Sequence, residues 1–194
     1  MPSTTLPCAD HLARPTPPWP APPRLRVWLA AALPALGACA PALDWREVRP
    51  AHSQLQLSMP CKPSLQQRKV QLAGHAVVLS LHACTADDQT WALAFADFAD
   101  PARIGPALSE LRASAAANLD ASQVEGLPLK VSGATPNPAS ERVALKGRLP
   151  NGKAVQEQVA VFAYGTRVYQ ATVIGATVSA EAAENFLTSL RVVP

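Results

Sequence analysis

Asn151-Gly152 stands between two runs that read as strands, residues 140–149 and 153–162. That dipeptide is the strongest short-range hairpin signal in the chain, because both residue types tolerate the positive φ that a tight reversal demands. Alternation with period two places every second side chain on the same face of a sheet. Two such runs joined by such a turn commit the chain to an antiparallel sheet with an apolar face that other elements must cover.

The rest of the chain repeats this pattern. Gln54-Leu-Gln-Leu-Ser58 alternates and reads as a half-buried strand, ended by Pro60-Cys-Lys-Pro63. Residues 69–72 read as a strand, Ala73-Gly74 as a turn and 76–83 as the hairpin partner. There Val77, Leu79 and Leu81 share one face, and Val78, Ser80 and His82 the other. A turn over 85–89 leads to a strand over 90–98, with Trp91, Leu93 and Phe95 on one face and small alanines on the other. That alanine face predicts close packing of a helix. Residues 120–126 read as a loop, 127–132 as a short strand and 133–138 as a loop. Tyr164-Gly165-Thr166 turns the chain into a strand over 167–174.

Two helices are expected. Asp100-Pro101 opens the first, with Asp capping free amide groups and Pro at the first helical position. Ile104, Leu108, Leu111, Ala115 and Leu119 then form one apolar stripe. Ser179 caps the second, in which Ala183, Phe186, Leu187 and Leu190 face the core. The order strands, helix, strands, helix predicts an α+β fold, a largely antiparallel sheet covered by two main helices.

The first 38 residues differ from the remainder. They hold nine of the twenty prolines and carry Arg14, Arg24 and Arg26 against Asp10, a net of +2 out of +3. The basic balance therefore belongs mainly to this segment. The remaining residues contain no Lys/Arg run, which argues against a nucleic-acid partner. Residues 27–36 form an uncharged apolar run preceded by Arg24 and Arg26. As a helix it would span about 15 Å, half of a hydrocarbon core of about 30 Å. It is therefore sized for a signal sequence and too short for a membrane span.

Leu36-Gly37-Ala38-Cys39 follows directly and resembles the lipobox of bacterial lipoproteins. The resemblance implies cleavage before Cys39, a diacylglyceryl thioether on its sulfur and acylation of the new amino terminus. Two or three acyl chains give a stable anchor where one does not. Ala40, rather than Asp, follows Cys39, which by resemblance to lipoprotein sorting favours the outer membrane, facing the periplasm. An ordinary secretory signal cut near Ala38 would instead leave a soluble periplasmic protein. The expected organisation is thus an N-terminal extension and signal peptide over 1–38, a lipidated tether over 39–52 whose Trp45 and Val48 dock on the domain, and a single α+β domain over 53–194.

Four cysteines are present. Cys8 leaves with the leader and Cys39 takes the lipid. Cys61 and Cys84 remain as an even pair in an oxidising compartment, so a disulfide is the default. Closing a loop of about 22 residues is worth roughly 3 kcal/mol in the chain-entropy account. The alternatives are a pair of free thiols and a metal site, in which His82 and Cys84 project from one strand face and Cys61 is a third ligand.

Several segments resemble the PsbP/Mog-like superfamily: Pro60-Cys-Lys-Pro63 after a strand, Arg142 before a hairpin, Gly165-Thr-Arg-Val-Tyr-Gln170, Val173-Ile-Gly175 and Phe186-Leu-Thr-Ser-Leu190. The resemblance spans about residues 54–193 and rests mostly on core positions. It implies an antiparallel sheet sandwiched by helices, and a binding or assembly module rather than an enzyme. It implies no catalytic residue and no cofactor.

The candidate residues for chemistry are few. His52, His75 and His82 are the histidines after residue 38, and none has a nucleophile beside it in a G-x-S-x-G elbow. Asp87 and Asp88 are a carboxylate pair, suited to acid–base work or Ca²⁺ but more simply read as solvated turn residues. Asp97 and Asp100 flank a strand end, outside any spacing typical of a calcium loop. Tyr164 and Arg167 form a candidate partner surface, with Tyr169 in the core. Trp91, Phe95 and Phe98 line either ordinary core or an apolar pocket. The leading expectation is a non-enzymatic envelope lipoprotein that binds or helps assemble an envelope protein. A small-ligand or lipid-binding periplasmic module is second, and a hydrolase or metal enzyme third.

Overall fold

The computed structural model describes residues 42–127 and 129–193. In chain order the elements are β1 (Arg46–Val48), β2 (Leu55–Met59), β3 (Ser64–Leu72), β4 (His75–Ala86) and β5 (Gln89–Asp97). A 3-10 turn (Pro101–Arg103) leads into α1 (Ile104–Asn118). Then come β6 (Gln123–Leu127), β7 (Glu141–Arg148), β8 (Ala154–Tyr164), β9 (Arg167–Gly175), α2 (Ala180–Thr188) and β10 (Arg191–Val192).

Seven strands form one antiparallel sheet in the order β3-β4-β5-β9-β8-β7-β6. Two meanders build it. The first runs inward from the β3 edge to β5; α1 then carries the chain to the far edge. The second runs from β6 back to β9, which pairs with β5 at the centre. The architecture is α+β with a largely antiparallel sheet and two helices, as the alternating runs predict.

Cross-strand partners share a face, so the register sorts the side chains into two cores. On one face lie Trp91, Leu93, Phe95, Phe162, Tyr169, Ala171 and Val173, covered by Ala182, Ala183, Phe186 and Leu187 of α2 and by Leu55, Leu57 and Met59 of β2. Phe162 stacks on Tyr169 at 4.8 Å, and Phe186 meets Trp91 edge to face at 5.4 Å. Each large apolar side chain buried here contributes roughly 1.5–3 kcal/mol. On the opposite face Val143, Leu145, Val155, Val159, Val161 and Val168 pack under Ile104, Ala107, Leu108, Ala115 and Leu119 of the α1 region. Ala96 joins this second core, yet α1 lies chiefly across β8 and β9. The alanine face of β5 is therefore not the helix's main seat.

The turns fix the register. Ala73-Gly74 and Asp87-Asp88 each have positive φ at both central positions, the geometry that matches strand twist in a two-residue hairpin. Gly165, at φ 58°, begins the two-residue turn between Tyr164 and Arg167. Asn151-Gly152 is built differently from the simplest expectation. Pro150 has no N–H to pair with Lys153 across a two-residue loop, and Gly152 alone in this turn takes a positive φ, at 81°. Gly152 N–H donates to Leu149 O (2.8 Å) and Leu149 N–H to Lys153 O (2.9 Å), giving a three-residue turn with a left-handed glycine.

Other boundaries also differ. Residues 123–126, expected within a loop, lie in β6, because β7 supplies backbone partners that polar side chains do not advertise. Of the strand expected over 127–132, Leu127 is the last residue of β6, whereas residues 129–131 are not in a strand and Ser132 makes an isolated parallel bridge to Arg191. The segment 39–52, expected as a tether, contains β1, which pairs with β2 in a second, three-stranded sheet completed by β10. Trp45, just before it, packs edge-on against Trp91 at 5.7 Å. Asp100 caps the 3-10 turn rather than α1 itself, its Oδ1 accepting from Ala102 N–H at 2.9 Å. Ser179 caps α2 as expected, accepting from Ala182 N–H at 3.2 Å.

Candidate functional site

Cys39 and the rest of Leu36-Gly37-Ala38-Cys39 lie outside the described residues. Cys61 and Cys84 lie within them and are joined by a disulfide, with Cα atoms 6.0 Å apart. Cys61 follows β2 and Cys84 sits on β4, on the face shared with Trp91. The bond therefore ties the small sheet to the large one beside the first core. It also uses the sulfurs that a His82/Cys84/Cys61 metal site would need.

Tyr164 and Arg167 are paired neighbours that close the β8–β9 turn. Arg167 is mostly engaged within the protein. Its Nε and Nη2 donate to Asp97 Oδ1 and Oδ2 at 2.8 and 2.9 Å, and its guanidinium lies 5.6 Å from the centre of the Phe95 ring. Its Nη1 is buried without a partner. Partial burial works against its charge, but hydrogen bonding and Coulombic attraction from Asp97 outweigh this and hold its pKa above the ordinary arginine value. Tyr164 is half-buried against the first core. Tyr169 is fully buried, its hydroxyl donating to Ser53 O, which pins the approach to β2.

Of His52, His75 and His82, the first lies in a loop and the other two on β4, seven residues apart and on opposite faces. His52 lies in the exposed loop before β2 at φ 62°, and His75 is exposed at the start of β4. His82 is buried and stacked on Phe95 at 6.0 Å, and burial lowers its pKa. Asp87 and Asp88 are the central residues of the β4–β5 turn, a role that short polar side chains accept because they tolerate left-handed backbone. Among the described residues no three His, Cys, Asp or Glu side chains gather into a metal-sized cluster.

Trp91 and Phe95 belong to the first core and Phe98 to the second, all buried. Clefts appear instead at the surface. One of about 470 Å³ lies over Phe162, between residues 129–140. Another of about 370 Å³ lies between β2, β10 and the end of α2, lined by Glu47, Gln56, Ser58, Lys130 and Arg191 among others. Gln56 is 2% exposed and its Nε2 has no partner.

Two further positions have roles that the sequence did not assign: Arg142, which entered only through the resemblance, and Glu157. Arg142 on β7 donates to Gln158 on β8 and to Glu184 on α2, so it fastens the helix to the sheet. Glu157 is buried on β8, and burial raises its pKa to about 7. The signal for Glu157 was present: it occupies the same phase as Val155, Val159 and Val161, which alternation assigns to the apolar face.

No family model matches the chain, and no curated protein matches it.

Proposed function

We propose that this protein is a cell-envelope lipoprotein, anchored through lipid on Cys39 to the outer membrane and facing the periplasm, whose domain is a non-enzymatic binding or assembly module of the PsbP/Mog-like kind. The observation that carries the reading is Leu36-Gly37-Ala38-Cys39 placed directly after a ten-residue apolar run. The thiol is the nucleophile that lipid transfer requires, and the small residues before it fit a peptidase site. The Cys61–Cys84 disulfide supports an oxidising compartment. The helix–sheet–helix layering agrees with the sandwich that the resemblance implies.

Fractionation of a Gram-negative host tests it. The wild-type chain is expected with the outer membrane, and Cys39→Ser in a soluble or uncleaved form. Identical distribution of the two would overturn the anchor.

A further inference from the structure

β3 is a terminal strand of the large sheet, and among the described residues no strand lies beyond it. It pairs with β4 one-to-one from Ser64↔Ala83 to Leu72↔His75, without a bulge, and contains neither Pro nor Gly. Side chains 64–69 are all exposed, Leu65 at 54%. Nine residues of regular edge, unpaired on the outer side among the described residues, form a template for another strand. The opposite edge, β6, has five residues including Gly126.

The charge carried by the edge's own segment is one-sided; the carboxylate that reaches it from outside is Glu110 of α1, which accepts from Ala73 N–H (2.7 Å) just past the end of β3, away from Arg68 and Lys69. Residues 60–86 contain Lys62, Arg68 and Lys69 and no Asp or Glu. None of the three cations joins an ion pair among the described residues. We propose that the outer edge of β3 accepts an extended acidic segment of a partner protein as an added strand. This deepens the binding-module reading and rests on it, but not on the lipid.

The register specifies the segment. Arg68 and Lys69 are consecutive, so they point to opposite faces, and Leu65 shares the face of Lys69. The complement is two consecutive acidic residues with an apolar residue three positions from the nearer one. A second copy of β3 fits poorly, because antiparallel pairing about the strand centre sets Arg68 against Arg68. An anionic bilayer also fits poorly, because a plane cannot meet cations on both faces of the ribbon at once.

The test uses the full chain carrying Cys39→Ser and two labelled ten-residue threonine-rich peptides. Each holds Glu-Glu and a Val at that spacing, one in either direction. Fluorescence anisotropy is expected to show salt-sensitive binding of at least one peptide. Arg68→Glu with Lys69→Glu is expected to weaken it about tenfold, as for losing two exposed ion pairs, while Lys153→Glu leaves it unchanged. Hydrogen exchange is expected to slow at β3 amides. Failure of both peptides to bind, binding indifferent to the charge reversal, unprotected β3 amides, or binding of anionic vesicles in place of peptide each overturns the assignment. If the wild-type chain still fractionates with the outer membrane, only the edge assignment falls and the anchor stands.

Discussion

Arg167 grips Asp97 with two parallel hydrogen bonds across the β5–β9 pair while its guanidinium lies over Phe95. The fork needs both planar nitrogens, so lysine cannot replace it. Asp97 is 57% exposed, so solvent screens much of the attraction. Arg167→Lys and Asp97→Ala are each expected to cost about 1 kcal/mol, with the double variant costing less than the sum. Urea denaturation of the four proteins measures this coupling.

The disulfide closes the segment between residues 61 and 84. Cys61→Ala, Cys84→Ala and the double variant are expected to lose nearly the same stability, roughly 3 kcal/mol, because each opens the same loop. Reduction of the wild-type protein should match them. Denaturation midpoints with and without reductant check it.

Gly147 on β7 sits where a Cβ would lie 2.3 Å from Leu119 O, the carbonyl that accepts from Arg148 N–H at 2.6 Å. The end of α1 is thus seated directly on backbone. Gly147→Ala is expected to cost at least about 2 kcal/mol through forced displacement, whereas Gly105→Ala, facing open space within α1, is expected to be neutral or stabilising. Thermal melts compare the two.

Glu157 and His82 give the domain opposite pH dependences. The Glu157 carboxyl titrates near 7 when folded against 4.5 ordinarily, so the folded state holds its proton longer than the unfolded state. Stability on this account falls as pH rises from about 4.5 to about 7, by about 3 kcal/mol in full. His82 is held neutral by burial, so its contribution is present above its ordinary 6.5 and is lost as pH falls through its lowered folded value. Glu157→Gln is expected to remove the alkaline loss, gaining most at pH 8 and little at pH 4. Unfolding free energies across that range test the sign.

The large sheet was legible because β4, β5, β8 and β9 are apolar-rich runs bounded by turn residues suited to left-handed backbone, such as Gly74 and Asp88. β6 was not legible. Gln123, Glu125 and Gly126 carry no alternation, and the strand exists because β7 offers a partner on that side. Pro150 changed the Asn151-Gly152 turn through its missing N–H, a local effect readable from the sequence. The cysteine pair was legible from the cysteine count and the expected export. The Arg167–Asp97 contact was not, since 70 positions separate the two residues and only the β5–β9 register brings them together.

The central claim is an anchored, disulfide-stapled envelope domain, and intact mass tests it most directly. The protein is expressed from its own start in a Gram-negative host, alkylated without reduction and weighed. The account predicts a chain beginning at Cys39, bearing a diacylglyceryl group and an amide-linked acyl chain, with Cys61 and Cys84 unlabelled. An unlipidated chain retaining residues 1–38, with both thiols alkylated, would contradict it.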